Sequence, residues 1–314
     1  MKFIELKKHL QSGALSPVYW LVGEDDRVAE RARDMLLKKV DALPELNVTV
    51  FDENADISAV EACCRSFPLQ AQYRAVIVRG YSGALDRMKN YFERPQASTI
   101  LIFMSTEVTK NLSPYLKFIN LVECGRLPRE TLVAYIAKRA AKGGSTVTRP
   151  AAELLVDYTL GYLAAIENQV DKLTLITDAI REDDVRENVS ASSEYKIFEL
   201  SDTINKKDGK RAMTILRALL SDGYAPSAVL GMLEGQYRRM MYSVLNRGDE
   251  NLAARLGVKE GAVYMAQKAA AGKKASALKR AYDIAAEYER AVKNGVMGDK
   301  DAVFSAVLQE LQLQ

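Results

Sequence analysis

The stretch that decides the fold reads Pro17-Val18-Tyr19-Trp20-Leu21-Val22-Gly23-Glu24-Asp25-Asp26-Arg27. Its apolar run predicts a buried strand over Val18–Val22, and the carboxylates after the glycine suit the N-terminus of a helix. Strand, glycine turn and helix together are the layout of a nucleotide-binding P-loop. A working P-loop also needs a second glycine and a Lys-Ser/Thr pair, and acids in their place repel a triphosphate. The sequence therefore predicts a degenerate P-loop at Gly23, Glu24 and Asp25, without a bound cofactor.

Strands and helices alternate through the rest of the first 126 residues. Apolar and β-branched runs predict further strands over 47–52, 74–79, 98–104 and 121–124. Helical spacing predicts helices over 1–10, 25–40, 57–66 and 85–92. On the helix over 57–66, the residues predicted to face inward are Val60, Ala62 and Cys63. This alternation, with near-continuous apolar strands, indicates a parallel sheet with helices on both faces.

The pattern changes after Arg126, beyond which no strand is predicted and helical spacing continues to the end of the chain. The predicted helices cover 127–143, 148–160, 162–177, 181–189, 195–204, 209–220, 226–245, 252–256, 261–270, 276–294 and 301–313. The polar segment Asn188–Ser193 is a candidate hinge. We therefore predict an α/β N-terminal domain over 1–126, followed by two all-α domains over 127–192 and 193–314.

The composition is that of a soluble globular protein, with 48% hydrophobic and 27% charged residues and a net charge of +3. A chain of 314 residues is too long for one hydrophobic core. No apolar stretch approaches the roughly 18 residues needed to cross a bilayer, and residues 1–10 have helical rather than signal-peptide spacing. We therefore expect a cytoplasmic location and no membrane partner. The cysteines Cys63, Cys64 and Cys124 form no C-x-x-C pair and are predicted to be buried apolar residues.

The sequence offers little for catalysis or metal binding. His9 is the one histidine and is predicted to lie on the surface. The pairs Asp25-Asp26 and Asp183-Asp184 are acidic enough to chelate a metal, but acids that start helices are far commoner. Motifs such as G-x-S-x-G and H-E-x-x-H are also missing. We therefore predict no catalytic residue and no metal site.

A connection before the predicted strand over 74–79 is rich in apolar residues: Ser66-Phe67-Pro68-Leu69-Gln70-Ala71-Gln72-Tyr73-Arg74. Pro68 ends the preceding helix, and the residues after it belong to what should be an exposed loop. Apolar side chains on a loop insert into a partner's pocket in many interfaces. The alternative, which composition alone favours, is that Phe67 and Leu69 cap the core.

Basic residues near the end of the chain form another candidate surface. Lysines and arginines interleave there with tyrosines and glutamates: Lys273, Lys274, Lys279, Arg280, Tyr282, Glu287, Tyr288, Glu289 and Arg290. Cations and aromatic rings at this spacing can contact phosphates and stack on bases. Because the glutamates lie among them, a mixed-charge solvated surface is an equal alternative.

Landmarks in order along nearly the whole chain resemble the delta subunit of the bacterial DNA polymerase III clamp loader. They are Pro17–Asp25, Phe67–Leu69, Tyr73–Arg79, Ile166–Leu173, Ile197–Ile204, Ala212–Leu220 and Gly235–Arg239. The resemblance implies an AAA+-like, clamp-binding α/β domain without ATPase motifs, a helical lid and a helical collar for oligomerisation. It also implies a role in DNA replication, without catalysis by this chain, inside the DNA-directed DNA polymerase III holoenzyme, a nucleotidyltransferase complex.

The partners implied by the resemblance are the ring-shaped sliding clamp (the beta subunit), the ATP-binding gamma/tau subunits, delta-prime and primed DNA. Members of this family bind and open the clamp with two adjacent apolar residues just before the third strand. Those positions fall on Leu69, which matches, and on Gln70, which is polar, so that Phe67 is the alternative second contact. Two other functions stay open: an AAA+ ATPase with an unorthodox phosphate loop, and a free-standing helical nucleic-acid-binding protein.

Overall fold

Five parallel strands form the centre of the first of two compact units, Met1–Pro128 and Arg129–Gln314. The computed structural model describes residues 1–13, 15–109, 112–249, 251–258 and 260–313. The elements of the first unit are α1 (Phe3–Gln11), β1 (Val18–Val22), α2 (Asp26–Leu37), α3 (Pro44–Asn47), β2 (Val48–Phe51), α4 (Ile57–Arg65), β3 (Arg74–Arg79), α5 (Lys89–Glu93), β4 (Thr99–Ser105) and β5 (Asn120–Glu123). Short 3-10 helices cover Asp86–Met88 and Ser113–Phe118.

The sheet has the strand order β2-β3-β4-β1-β5, and helices cover both of its faces, as the alternating pattern predicts. Strand β1 lies between β4 and β5, and because its successive residues Val18–Leu21 are all buried, both of its faces are covered. The indole of Trp20 stacks on Phe103 with 4.6 Å between ring centroids, and its N–H donates to Ser105 Oγ at 2.7 Å. Side chains of this face form one apolar cluster with helix α4.

Several details of the first unit differ from the sequence-based predictions. On α4 the buried residues are Ile57, Val60 and Cys64, whereas Ala62 is exposed and Cys63 half-buried. The prediction for Ala62 and Cys63 was therefore wrong, because the helical period places Cys64, not its neighbours, above Ile57 and Val60. Helix α3 was not predicted, since four residues are too few to show a period.

The second unit consists mostly of helices: α6 (Arg129–Lys142), α7 (Arg149–Tyr158), α8 (Leu163–Thr174), α9 (Glu182–Asn188), α10 (Ser193–Asn205), α11 (Gly209–Ser221), α12 (Pro226–Leu245), α13 (Leu252–Leu256), α14 (Glu260–Ala270), α15 (Ala275–Lys293) and α16 (Asp299–Gln312). The prediction that no strand follows Arg126 was wrong. Strands β6 (Thr146–Val147) and β7 (Ala179–Ile180) form a short parallel pair.

Residues from both sides of the candidate hinge Asn188–Ser193 pack together within the second unit. The ring of Tyr158 on α7 lies 4.7 Å from that of Tyr195 on α10, and Ser192 N–H donates to Tyr158 O at 3.0 Å. Asp157 on α7 forms an ion pair with Arg129 at the start of α6. Its Oδ2 also lies 3.1 Å from the Nζ of Lys268 on α14. The division of this unit at residue 192 into lid and collar stays a prediction.

One large apolar cluster of the second unit is formed mainly by residues 195–307, from α10 to α16. Buried polar groups lie inside it, and the hydroxyl of Tyr237 on α12 donates to a carboxyl oxygen of Glu310 on α16. Among the described residues, no helix combines the length and the apolar content that a membrane-spanning segment needs.

Candidate functional site

The loop between α4 and β3, residues 66–73, carries large apolar side chains in solvent. Phe67 is 77% exposed and Leu69 is 52% exposed. Gln70, the other predicted contact residue, is exposed as well. Neither Phe67 nor Leu69 therefore caps the core, and the alternative that composition favoured does not hold. An aromatic ring and a branched aliphatic chain two positions apart, both outside the core, form a small apolar protrusion.

Local sequence explains why the chain leaves the helix here. Pro68 disfavours helical backbone at the residue before it, so α4 cannot continue through Phe67. Ser66 ends α4 with extended backbone angles (φ −75°, ψ 145°), and its N–H donates to Cys63 O at 3.2 Å. Gln70 then adopts a left-handed backbone with φ 53°, which turns the chain back toward β3.

The backbone of Leu69 is held by a single buried side chain. Asn47, at the end of α3, is only 1% exposed. Its Oδ1 accepts from Leu69 N–H at 2.7 Å, and its Nδ2 donates to Leu69 O at 2.9 Å. The Asp41 carboxylate accepts from Gln72 N–H at 2.9 Å as a second tie to the loop. The loop therefore has fixed backbone points although its apolar side chains lie in solvent.

The strand-glycine-helix turn has the shape of a P-loop, but protein groups occupy its anion position. Asp25 is 3% exposed and caps α2, where its carboxylate accepts from Arg27 N–H at 3.1 Å and Val28 N–H at 3.2 Å. Glu24 forms an ion pair with Arg126 at 3.0 Å. In a P-loop such helix N-terminal amides bind phosphate oxygens. Here a carboxylate of the chain itself takes that place.

Gly23 is required by close packing rather than by a ligand. A Cβ on this residue would lie 2.3 Å from Cys124 C, 2.4 Å from Cys124 O and 2.5 Å from Gly125 N. All three atoms are backbone and cannot move aside as a side chain would. The glycine thus lets the turn after β1 pass directly against the chain that leaves β5.

A cleft of about 850 Å³ opens at the carboxyl ends of β1, β3 and β4, where α/β proteins commonly bind ligands. Its charged lining residues are Asp26, Glu30, Arg79 and Glu107. Three carboxylates against one guanidinium disfavour a nucleotide triphosphate by simple Coulomb repulsion. Within the described part of the chain, no group of three or more acidic, histidine or cysteine side chains is arranged to hold a metal ion.

Comparison with known proteins decides the family. The family model for "DNA polymerase III, delta subunit" matches residues 19–124, and that for its C-terminal domain matches residues 194–310. The chain belongs to the DNA polymerase III delta subunit family. DNA polymerase III subunit delta of Bacillus subtilis is 24% identical over 278 residues, which cover 80% of each chain. The solved structure of the B. subtilis DNA clamp loader delta protein is 22% identical, covers 99% of both chains and has a TM-score of 0.70.

Several landmarks of this family have structural rather than ligand-binding positions in the second unit. Glu167 on α8 is buried and accepts from the Tyr135 hydroxyl at 2.8 Å. One turn later, Asp171 receives both arms of the Arg139 guanidinium, at 2.7 and 2.6 Å, and this hydrogen bonding holds the pKa of Asp171 below its usual value. These contacts fasten α8 to α6.

The two tyrosines among the basic positions near the end of the chain are half-buried, which does not favour stacking on bases. Tyr282 and Tyr288 pack against the core of the second unit. A hydrogen bond to Glu234 raises the pKa of Tyr282, so its hydroxyl is also engaged. Lys279 pairs with Asp283 at 2.7 Å along α15. The mixed-charge surface is the alternative that these contacts favour.

The remaining predicted residues have structural surroundings. Burial raises the pKa of the Cys64 thiol and that of the Cys124 thiol to about 12, which keeps both as neutral apolar groups at physiological pH. Cys63 is half-buried and lies 3.4 Å from an Arg74 guanidinium nitrogen. His9 was expected on the surface but is half-buried, with Nε2 3.3 Å from the Tyr19 hydroxyl.

Asn47 is the residue that sequence analysis missed at this site. It lies 22 positions before Leu69 in the chain, so no local pattern connects them. The available signal was a single asparagine between Leu46 and the β-branched run of β2, which is also typical of an ordinary loop.

Proposed function

We propose that this chain is the clamp-opening subunit of a replicative clamp loader and that it binds the sliding clamp through Leu69 and Phe67. The observation that carries the proposal is the exposure of both side chains on a loop whose backbone is fixed. Support comes from the family and from the relative named as a DNA clamp loader delta protein. The chain lacks the P-loop lysine, so the opening step draws on binding energy rather than on nucleotide hydrolysis by this chain.

Phe67 is the better second contact than Gln70. Its ring is exposed to 77%, and full burial of a phenylalanine or leucine side chain is worth about 1.5–3 kcal/mol. The amide of Gln70 would have to lose its hydration before it entered an apolar pocket, which costs free energy unless new hydrogen bonds form. The left-handed backbone of Gln70 gives this residue the role of turning the chain.

Binding by two such residues supplies a large part of the free energy needed to open a ring. To move a closed ring from about 1:99 to 99:1 in favour of the open form, a ligand must discriminate by about 5.5 kcal/mol. Because Phe67 is 77% and Leu69 52% exposed before binding, the two together supply about 2–4 kcal/mol if their pocket is fully available only in the open form. The chain thus acts as a wedge by preferring one state of the clamp.

In the complete loader we propose that the chain is one subunit of a hetero-oligomer. Residues 193–314 form the collar that joins it to the ATP-binding gamma/tau subunits and to delta-prime, and residues 127–192 form the lid. Nucleotide bound by those partners controls access to the α4–β3 loop, and the opened clamp is then placed on primed DNA. The Asp25 cap and the acidic cleft argue against the alternative of an active ATPase.

The test is the affinity of the purified chain for its cognate clamp, measured without nucleotide by calorimetry and size-exclusion chromatography. Replacing both Leu69 and Phe67 by alanine is expected to raise Kd by about 100-fold or more, because each is an apolar hot spot. Leu116→Ala is the matched control, since Leu116 is 47% exposed and lies in the 3-10 helix before β5. Strand β5 is at the edge of the sheet opposite to β2 and so lies away from the α4–β3 loop. Undiminished clamp binding by the double variant would contradict the proposal.

A further inference from the structure

We infer that Asn47 is a positioning residue that presents Leu69 to the clamp in its binding conformation. The inference rests on the proposed function and adds to it the reason why an exposed leucine can bind tightly. Asn47 follows the three preceding residues of α3 and directly precedes β2, so helix and sheet fix its own backbone. Its side chain then transfers this fixed position to a loop 22 residues further along the chain.

The hydrogen-bond geometry is that of one residue pinned at both of its polar groups. A primary amide has one carbonyl and two N–H groups, and the Asn47 amide uses both kinds on the same residue. Leu69 N–H donates to Oδ1 at 2.7 Å, while Leu69 O accepts from Nδ2 at 2.9 Å. This pairing resembles a rung between strands, although one partner is a side chain.

The same amide also fastens the segment that leads into α3. Its Nδ2 also lies 3.0 Å from Ala42 O and 3.2 Å from Leu43 O, so that its two N–H groups are shared among three carbonyl acceptors. A buried amide with acceptors on all sides holds them in one arrangement, because each broken contact leaves a desolvated polar group. The Asn47 side chain therefore holds the segment before α3 and the α4–β3 loop in one arrangement, and Leu69 on that loop keeps its side chain 52% exposed.

Fixing the backbone of a binding residue before the encounter removes part of the entropic penalty of binding. Ordering one residue's backbone opposes binding by an amount that corresponds to about tenfold in Kd. The adjacent left-handed Gln70 makes this more important, because an unrestrained loop would leave that backbone region. Asn47 is thus expected to contribute to clamp affinity without touching the clamp.

The experiment is a double-mutant cycle on clamp affinity with Asn47→Ala and Leu69→Ala in the full chain. Asn47→Ala alone is expected to raise Kd about tenfold. In the Leu69→Ala background the same change is expected to alter Kd by less than about twofold, because its effect passes through the leucine. Asp25→Ala, which removes the cap of α2 and leaves the loop unchanged, controls for general loss of stability and is expected to retain wild-type affinity.

Hydrogen exchange of the Leu69 amide in the free wild-type chain provides a readout that needs no variant to fold. We expect the Leu69 amide to be protected from exchange in the absence of the clamp. Asn47→Asp has nearly the same size and keeps an acceptor for the Leu69 N–H. Its carboxylate repels Leu69 O, so we expect weaker clamp binding. Exchange at the rate of an unprotected loop would overturn the inference, as would equal effects of Asn47→Ala in both backgrounds. Wild-type affinity in Leu69→Ala itself would instead overturn the proposed function together with the inference.

Discussion

Gly23 shows how one residue of the opening stretch keeps the shape of a nucleotide site after its chemistry is gone. A side-chain carbon at this position would meet backbone atoms of Cys124 and Gly125 at its closest contacts. The absence of a Cβ at Gly23 is thus needed for the turn after β1 to pack against the chain that leaves β5, whether or not a nucleotide binds. Two positions later, Asp25 takes the place of a phosphate as the partner of the α2 amides.

Replacing Gly23 by alanine tests this steric role. A Cβ at 2.3–2.5 Å from backbone atoms forces β1 and the chain after β5 apart, so we expect the free energy of unfolding to fall by about 3 kcal/mol. Gly125→Ala is the matched control, because a Cβ there meets no atom within 4 Å. Both variants replace a glycine by an alanine and so change the entropy of the unfolded chain in the same way. The difference between their free energies of unfolding, measured by urea denaturation, therefore reports the steric clash in the native state. Equal stabilities would show that Gly23 is not sterically required.

At the scale of elements, the sequence predicted the regular parts and missed those defined by contacts. Strand β1 and helix α12 have the predicted bounds, because a buried apolar run and a long helical period leave little ambiguity. Helix α3 and the pair β6–β7 are too short to show a period. They form because of what they pack against, and the Asn47–Leu69 pairing depends on a contact that only the folded chain creates.

The pairing of α12 with α16 contains a buried acid that makes the second unit sensitive to pH. Glu310 is 2% exposed, and burial raises its pKa to about 8, while the hydrogen bond from Tyr237 acts in the opposite direction. In the unfolded chain its pKa returns to about 4.5. The folded state therefore retains a proton that the unfolded state has lost between these two pH values.

This difference gives a prediction with a definite sign. Below about pH 4.5 both states hold the proton and the contribution of Glu310 is complete. As the pH rises toward 8, the free energy of unfolding falls by up to about 1.4 kcal/mol per unit. Glu310→Gln keeps an acceptor for Tyr237 and should flatten the profile, whereas Glu287→Gln, on the exposed face of α15, should leave it unchanged. The prediction would be contradicted if the free energy of unfolding changed between pH 5.5 and pH 8 by the same amount in Glu310→Gln as in the wild-type chain.

At the scale of the whole molecule, the two units divide the tasks expected of a delta subunit. The first unit contains the five-stranded parallel sheet, and its α4–β3 loop lies at the end of that sheet where strand β3 begins. In the proposed loader, the helices of the second unit serve assembly. Family, fold and the degenerate P-loop could be predicted from the sequence, whereas composition alone favoured burial of Phe67 and Leu69, and only the family resemblance indicated that they are exposed contacts.

The measurement that tests the central claim most directly is opening of the cognate sliding clamp by the isolated chain. A fluorophore pair across one clamp subunit interface reports separation of that interface. We predict that the wild-type chain and Leu116→Ala open the ring without nucleotide, and that ATP with magnesium leaves the extent of opening unchanged. The variant with alanine at both Phe67 and Leu69 should leave the ring closed at the same concentration. Opening that requires ATP on this chain, or that persists in the double variant, would contradict the account.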